Sequence, residues 1–349
     1  MSCYKPLIRV EDTFKWETAE DGHKYHPARI ISDDQLENYD KGYQGGAFRY
    51  KVMPIACGQC IGCRLDYSRE WANRGYIEAS QYKDNYFVTL TYDDEHLPKK
   101  EEITTSDGVT YTEIPQIEWK GCLEPKDFTQ FMKNLRQIMK RDYNQENIRF
   151  IGCGEYGTQN KRPHYHLILF NCQLPIESFY NPKVNWEKNV YWQNVIIERA
   201  WNKGISNICE ANWENIAYTA RYITKKINGT ESEDIYACQG QLKEFFRCSR
   251  NPGIARDYYE KNKDQIYKND QITIKTKKGL QRIKPPAYFD RLYEEENPKR
   301  MQEIKEERRR KQIQALKLKA QKTSLTRWEQ LQVEEDYKKD KTLALKREL

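Results

Sequence analysis

Runs of apolar and alternating residues predict three strands in the first half of the chain. The run YFVTLTY, from Tyr86 to Tyr92, is rich in β-branched and aromatic residues and lies between polar segments, which is typical of a strand. Two further runs of this kind, IRFIGCGE and RPHYHLILF, lie on either side of the turn-rich segment YGTQNK. They predict an antiparallel hairpin.

Helical spacing of apolar residues predicts three helices. They are expected from about residue 65 to 81, in DFTQFMKNLRQIMKR after Pro125, and from Trp213 to Ile227. One narrow stripe predicts the core face of the third helix, namely Ile216, Ala220, Ile223 and Ile227. The segment VYWQNVIIERAWNKG fits a helix or a strand, and periodicity does not separate the two there.

These patterns divide the chain into three parts. Residues 1–63 show little periodicity and predict an irregular N-terminal arm that contains a cysteine cluster. Residues 64–296 hold the predicted strands and helices. Residues 297–349 are rich in Glu, Lys, Arg and Gln and predict a charged helical tail, whose apolar positions keep no heptad repeat.

Composition favours a polyanionic partner. The 349 residues are 38% hydrophobic and 32% charged, with a net charge of +7, which fits DNA, RNA or an anionic membrane surface equally well. The 25 tyrosines would suit stacking on unpaired bases, although for most of them a half-buried packing role is the simpler interpretation.

The chain also bears on location. Its N-terminus, MSCYKPLIRVED, lacks the apolar segment of a secretory signal, and no apolar run approaches the roughly 20 residues that span a bilayer. We therefore expect a cytoplasmic protein without a membrane partner. In that compartment its ten cysteines are expected to be reduced thiols or metal ligands rather than disulfides.

Two of the five histidines lie in the predicted hairpin as His164 and His166. Side chains alternate along a strand, so both imidazoles project from one face, and Glu155 on the partner strand brings a carboxylate near them. With phosphate oxygens completing the shell, this set suits Mg²⁺ or Mn²⁺, and it could equally hold zinc in a hydrolase. The alternative is a pair of surface histidines.

Tyr218, Tyr222 and Lys225 fall on the side of the third helix opposite its apolar stripe. A phenol is a poor nucleophile at neutral pH, but a cation on the scissile phosphate and a nearby lysine would assist its attack. The product would be a covalent phosphotyrosine. The alternative is a solvated face of tyrosines and lysines.

The segment CGQCIGCR places Cys57, Cys60 and Cys63 at a spacing compatible with structural zinc or an iron–sulfur cluster. A closed zinc site needs a fourth ligand from the arm, for which the candidates are Cys3, His23 and His26. The alternative is that these cysteines are reduced thiols that cap the following helix.

At these residues the chain resembles the HUH endonuclease superfamily, named for its histidine–hydrophobic–histidine strand, and more closely the replication initiators of microviruses of the gokushovirus group. FVTLTYDDEHLP resembles the first motif, GEYG with RPHYHLILF the metal motif, and YTARYITKK the tyrosine motif. CGQCIGCR and its helix resemble the gokushovirus pattern. The resemblance covers about residues 54–228, with the motifs in family order.

The resemblance implies an α+β fold: a central antiparallel sheet of the HUH, RRM-like palm type, backed by helices. It implies a rolling-circle initiator that nicks and joins origin DNA, leaving a 5′-phosphotyrosine and a free 3′-OH primer. It assigns His164 and His166 as metal ligands and Glu155 as the third, with Asp94 and His96 as competitors for that place.

For the tyrosines, the resemblance implies that Tyr218 and Tyr222 are paired nucleophiles. Tyr222 and Lys225 also match the Tyr-x-x-Lys arrangement of single-tyrosine relatives, so Tyr222 is favoured if one tyrosine dominates, with Lys225 assisting. The implied partners are single-stranded origin DNA and a host helicase and polymerase, in the cytoplasm of a bacterial host.

Three other functions fit parts of the pattern. A plasmid or transposon nickase of the same superfamily would use identical chemistry, and the cysteine motif argues against it. A non-catalytic protein that binds single-stranded nucleic acid would use tyrosine stacking and need no metal. A zinc hydrolase would use the two histidines and Glu155 with an activated water, and would form no covalent intermediate.

Overall fold

The computed structural model describes residues 3–20, 22, 24–31, 43–44, 47–48, 50–112, 121–157, 160–184, 190–225, 232–276 and 279–344, without the side chains of 43–44, 47–48, 222–225, 232, 276 and 343–344. The chain forms two compact units. Met1–Asp66 and Gln312–Leu349 make up the smaller unit, and Tyr67–Lys311 make up the larger unit.

The helices have the following bounds: α1 Ile61–Ala79, α2 Pro125–Tyr143, α3 Val195–Trp201, α4 Trp213–Lys225, α5 Ser232–Ala237, α6 Arg256–Asn269, α7 Ala287–Glu296, α8 Pro298–Ala320 and α9 Arg327–Ala344. The strands that precede α1 are β1 Leu7–Asp12, β2 Glu17–Thr18, β3 Lys24–Tyr25, β4 Ala28–Ile31, β5 Tyr43–Gln44, β6 Ala47–Phe48 and β7 Tyr50–Ile55. The later strands are β8 Asn85–Tyr92, β9 Ile103–Thr104, β10 Thr110–Tyr111, β11 Arg149–Tyr156, β12 Pro163–Phe170, β13 Phe179–Val184, β14 Val190–Asn194, β15 Gly204–Glu210, β16 Phe245–Cys248, β17 Ile272–Thr276 and β18 Gly279–Ile283.

A seven-stranded antiparallel sheet forms the centre of the larger unit, in the order β13-β14-β15-β8-β12-β11-β16. The predicted hairpin is its β11–β12 pair, in which Glu155 lies opposite His164 and Cys153 lies opposite His166. The predicted α+β fold with a central antiparallel sheet is therefore confirmed.

One face of this sheet packs against α2 and α3. The six apolar residues of the predicted α2 stripe are all buried there with strand residues such as Tyr165 and Leu167. Gly152 and Gly154 make room for them on β11. A Cβ on Gly152 would lie 2.8 Å from the ring of Phe128, so a larger residue would push that ring away.

The other face carries α1 and α4. Ile151 and Ile168 from the sheet are buried with Ile77 of α1 and Ile216 of α4. The predicted core stripe of α4 is thus borne out at Ile216 and Ala220, both 2% exposed. The side chain of Ile223 and all of Ile227 lie outside the described residues.

The ambiguous segment VYWQNVIIERAWNKG contains both a strand and a helix. Strand β14 ends at Asn194, whose side chain accepts hydrogen bonds from the backbone N–H groups of Ile196 (3.0 Å) and Ile197 (3.2 Å). This N-cap starts α3 directly, because it satisfies the first free donors of the helix. The mixed apolar pattern reflects two short elements in succession.

The N-terminal arm is more regular than predicted. In the smaller unit, β4, β1 and β7 form a three-stranded antiparallel sheet, which buries Ile8, Val10 and Ile31 with Tyr50 packed beside them. Strands of four to six residues give few alternations from which periodicity can be detected, which explains the prediction of irregular structure.

The predicted charged helical tail is present as α8 and α9. Its residues divide between the two units, since the larger unit ends at Lys311 within α8. The prediction of separate domains at residues 1–63, 64–296 and 297–349 stays a prediction of functional parts. Within the described part of the chain, no helix combines the length and apolarity that crossing a membrane requires.

Candidate active site

Adjacent strands of the central sheet bring together the three residues predicted as metal ligands. His164 Nε2 lies 2.7 Å from Glu155 Oε1, and His166 Nε2 lies 3.1 Å from the same oxygen. The three potential ligand atoms all lie within 4.8 Å of one another. The imidazoles project from one face of β12, as predicted, while Tyr165 between them is fully buried in the opposite core.

The other nitrogen of each imidazole is also engaged. His164 Nδ1 lies 3.1 Å from the carbonyl oxygen of Arg162, and His166 Nδ1 lies 3.0 Å from the hydroxyl of Thr89. A carbonyl only accepts hydrogen bonds, so neutral His164 carries its proton on Nδ1 and directs the Nε2 lone pair at Glu155. Such bonds to the far nitrogen orient histidines that bind metals.

Glu155 supplies the negative charge of this group. Burial opposes its ionisation, but hydrogen bonds with His164 and His166 outweigh that effect and lower its pKa to about 2. Two imidazoles and an ionised carboxylate form a donor set that fits a divalent cation. Because three ligands do not complete a coordination shell, such an ion would keep open positions for other oxygen ligands.

The two competitors for the carboxylate's place lie elsewhere. Asp94 forms an ion pair with the Arg162 guanidinium at 2.8 Å, and His96 Nδ1 lies 2.8 Å from Asp93 Oδ1. Among the described residues, neither belongs to the group of ligand atoms around His164 and His166. Of the three acidic or imidazole candidates for the third ligand, only Glu155 has the required geometry.

Helix α4 carries Tyr218 to the imidazoles. The ring centroids of Tyr218 and His166 lie 5.6 Å apart in an edge-to-face arrangement with an interplanar angle of 79°. Phe87 joins both, since it stacks on His166 at 5.4 Å and meets the edge of Tyr218 at 6.1 Å. The burial of Ile216 in the core beneath α4 fixes the helix rotation that permits this contact.

The surroundings of Tyr218 disfavour its ionised form. Burial raises the pKa of the phenol, and the carboxylate of Glu155 raises it further. The guanidinium of Arg221, 5.6 Å from the Tyr218 ring centroid, acts in the opposite direction. Positive charge brought to this group would therefore favour the phenolate.

Two predicted residues lie beyond what the structure describes in full. The backbone of α4 continues through Tyr222 and Lys225, so Tyr222 lies one turn after Tyr218, but the side chains of both are outside the described residues. The structure thus brings together four of the predicted residues: His164, His166, Glu155 and Tyr218.

Sequence reasoning missed three residues of this group, namely Phe87, Thr89 and Arg221. Its motif comparison selected the strand of the first two but none of its individual residues. Thr89 pairs directly with His166 across β8 and β12, which places both side chains on one face. Strand register was the missing information, since the alternation within β8 becomes meaningful only once its partner is known.

The predicted cysteines form a second group in the smaller unit. The sulfur atoms of Cys57, Cys60 and Cys63 are joined by that of Cys3, and all four lie within 4.8 Å of one another. His26 is engaged elsewhere, because its Nδ1 lies 2.7 Å from the carbonyl oxygen of Lys15. His23 lies outside the described residues.

Comparison with known proteins places the sheet site inside the region that a family model matches. The family model for the replication-associated protein ORF2 matches residues 85–227. Replication-associated protein ORF2 of Spiroplasma virus 4 is 34% identical over 297 residues, which are 85% of this chain and 81% of that protein. Replication-associated protein VP4 of Bdellovibrio phage phiMH2K is 28% identical over 71% of this chain and 70% of its own. For replication-associated protein ORF4 of Chlamydia phage 1 the values are 27%, 64% and 50%. No solved structure gave a significant match.

Proposed function

Since the chain belongs to the family of microvirus replication-associated proteins and is a replication initiator of that type, we propose that it nicks and rejoins single-stranded origin DNA through a covalent tyrosine intermediate. The observation that carries this proposal is the 5.6 Å contact between the rings of Tyr218 and His166. It brings a phenol beside a donor set suited to a divalent cation. Nucleophile and metal ligands are the two parts that this chemistry requires.

The proposed step is a transesterification. The phenol oxygen of Tyr218 loses its proton to water and attacks the phosphorus atom. A new O–P bond forms while the bond from phosphorus to the 3′ oxygen breaks, and the released 3′ oxygen takes up a proton. The products are a 5′-phosphotyrosine and a free 3′-OH, and attack by a 3′-OH on the phosphotyrosine reverses the step and joins the strand.

Glu155, His164 and His166 would hold the metal. A divalent ion bound there, Mg²⁺ or Mn²⁺, would stabilise negative charge on the scissile phosphate by Lewis-acid polarisation. Thr89 orients the His166 ring through Nδ1. The Arg162 carbonyl does the same for His164.

Tyr222 and Lys225 complete the proposal on the strength of the family motif. Tyr222 is proposed as a second nucleophile one helical turn from the first, and Lys225 as a cation that assists the phenolate or steadies the phosphate. The described ring contact favours Tyr218 for the first attack, whereas the Tyr-x-x-Lys arrangement favours Tyr222. Mapping the modified peptide distinguishes these two assignments.

The surrounding process follows from the products. A free 3′-OH primes rolling-circle synthesis, so we propose that a host helicase and polymerase act after the nick, in the cytoplasm of a bacterial host. The three named relatives come from viruses and phages, which favours a phage origin as substrate over a plasmid or transposon origin.

The test is a covalent-adduct assay with labelled single-stranded DNA that carries the phage origin. With Mn²⁺ or Mg²⁺, a protein–DNA band should survive denaturation, and Tyr218→Phe combined with Tyr222→Phe should remove it. Tyr143→Phe, an exposed tyrosine at the end of α2, is the matched control and should keep the band. Adduct formation by the double variant would refute the assignment. Cleavage without any adduct would favour hydrolysis by an activated water.

A further inference from the structure

Four cysteines of the smaller unit surround one point. Cys60 Sγ lies 3.8 Å from Cys3 Sγ, and Cys57 Sγ lies 3.9 Å from Cys63 Sγ. Every pair of the four sulfur atoms is within 4.8 Å. Cys3 and Cys60 are buried, and the other two are half-buried, so the sulfurs converge inside the unit rather than on its surface.

These distances fit a single tetrahedral metal ion. Four thiolates bound at the zinc–sulfur distance of about 2.3 Å lie roughly 3.8 Å apart at the corners of a tetrahedron. A disulfide would bring two sulfurs to about 2.0 Å, which neither measured pair approaches. An iron–sulfur cubane binds each thiolate to a different iron and therefore holds its ligands much further apart.

Backbone N–H groups are directed at the same sulfurs. The N–H of Tyr4 donates to Cys60 Sγ, that of Cys57 to Cys3 Sγ, and that of Cys60 to Cys57 Sγ, each at 3.3 Å. Hydrogen bonds of this kind stabilise thiolate charge and orient metal ligands. Four neutral thiols would gain much less from these donors than metal-bound thiolates.

We propose that Cys3, Cys57, Cys60 and Cys63 form a closed structural zinc site, independent of the proposed nicking chemistry. It joins the segment before β1 to the loop before α1, across a sequence separation of 54 residues. The carbonyl of Cys60 accepts from the N–H of Arg64 at 3.1 Å, so the site lies at the first turn of α1. The unit's own apolar cluster buries only Ile8, Val10 and Ile31 among the described residues, and a metal is a common substitute for a small core.

The first test measures metal in the full chain with the sheet site disabled. In a His164→Ala/His166→Ala background, the purified protein should hold one zinc ion per chain, measured by mass spectrometry of the metal. X-ray absorption should show four sulfur neighbours at about 2.3 Å. Absence of zinc after reduction and reconstitution, nitrogen or oxygen neighbours, or a disulfide among these cysteines would overturn the proposal.

The second test identifies Cys3 as the fourth ligand. In the same background, the Co²⁺-loaded protein should show the sulfur-to-cobalt charge-transfer band of a four-thiolate site. Cys3→Ser should weaken this band and lower zinc affinity at least roughly tenfold in competition with a chromophoric chelator, because it removes one of four thiolates. Cys238→Ser, at an exposed cysteine of the larger unit, is the matched control and should match the parent. Equal affinity of Cys3→Ser and the control would exclude Cys3.

Discussion

The chain holds two groups of potential metal ligands, and they are built in opposite ways. On the central sheet, two imidazoles and one carboxylate lie on neighbouring strands and leave coordination positions open beside an aromatic ring that bears a phenol. In the smaller unit, four thiols from two separate segments enclose a point completely. Open mixed sites are typical of catalysis, and closed thiolate sites are typical of structural zinc. The comparison indicates a division of labour between chemistry and stability.

Metal removal is expected to have the largest effect. A brief incubation with EDTA should abolish adduct formation, since three ligands with open positions hold Mg²⁺ or Mn²⁺ loosely. The zinc of the cysteine site should remain, because four enclosed thiolates release it slowly. The measurement is the adduct yield together with the zinc content of the same sample. Full adduct yield after complete removal of divalent ions would refute the open, catalytic half of the comparison.

Single ligand substitutions should separate the two groups. His166→Ala removes a ring that contacts both Glu155 and Tyr218, so nicking should fall by more than the roughly 10–100-fold typical of lost outer-shell partners. Zinc content should be unchanged. Cys60→Ser should do the reverse, with zinc lost and residual nicking retained by folded protein at low temperature. Loss of zinc from the cysteines in His166→Ala would show that the two groups are not independent.

Loss of an orienting hydroxyl should have the smallest effect. Thr89→Val keeps the shape of the side chain but removes the 3.0 Å hydrogen bond to His166 Nδ1, so Mn²⁺ affinity should fall by about tenfold. Thr104→Val removes a comparable hydroxyl contact from an exposed hairpin and serves as the control. Titration of Mn²⁺ against adduct yield measures the difference. Identical curves for both variants would exclude an orienting role for Thr89.

Several features followed from the sequence because they depend on local periodicity. Strand alternation placed His164 and His166 on one face, and helical spacing placed Ile216 and Ala220 in the core. The hairpin that aligns Glu155 with His164 was visible from two strand runs and a turn. These relations involve residues near one another in the chain, whose side-chain directions are set by backbone geometry.

Other features depended on which distant segments meet. Thr89 and Phe87 join the site only through the register of β8 against β12, and no local pattern encodes that pairing. Cys3 was one of three candidates until folding brought it to Cys60. The sequence alone determined the ligand types, their faces and the order of the elements. Tertiary structure decided the partners, because contacts between distant segments depend on packing the whole core rather than on the period of any one element.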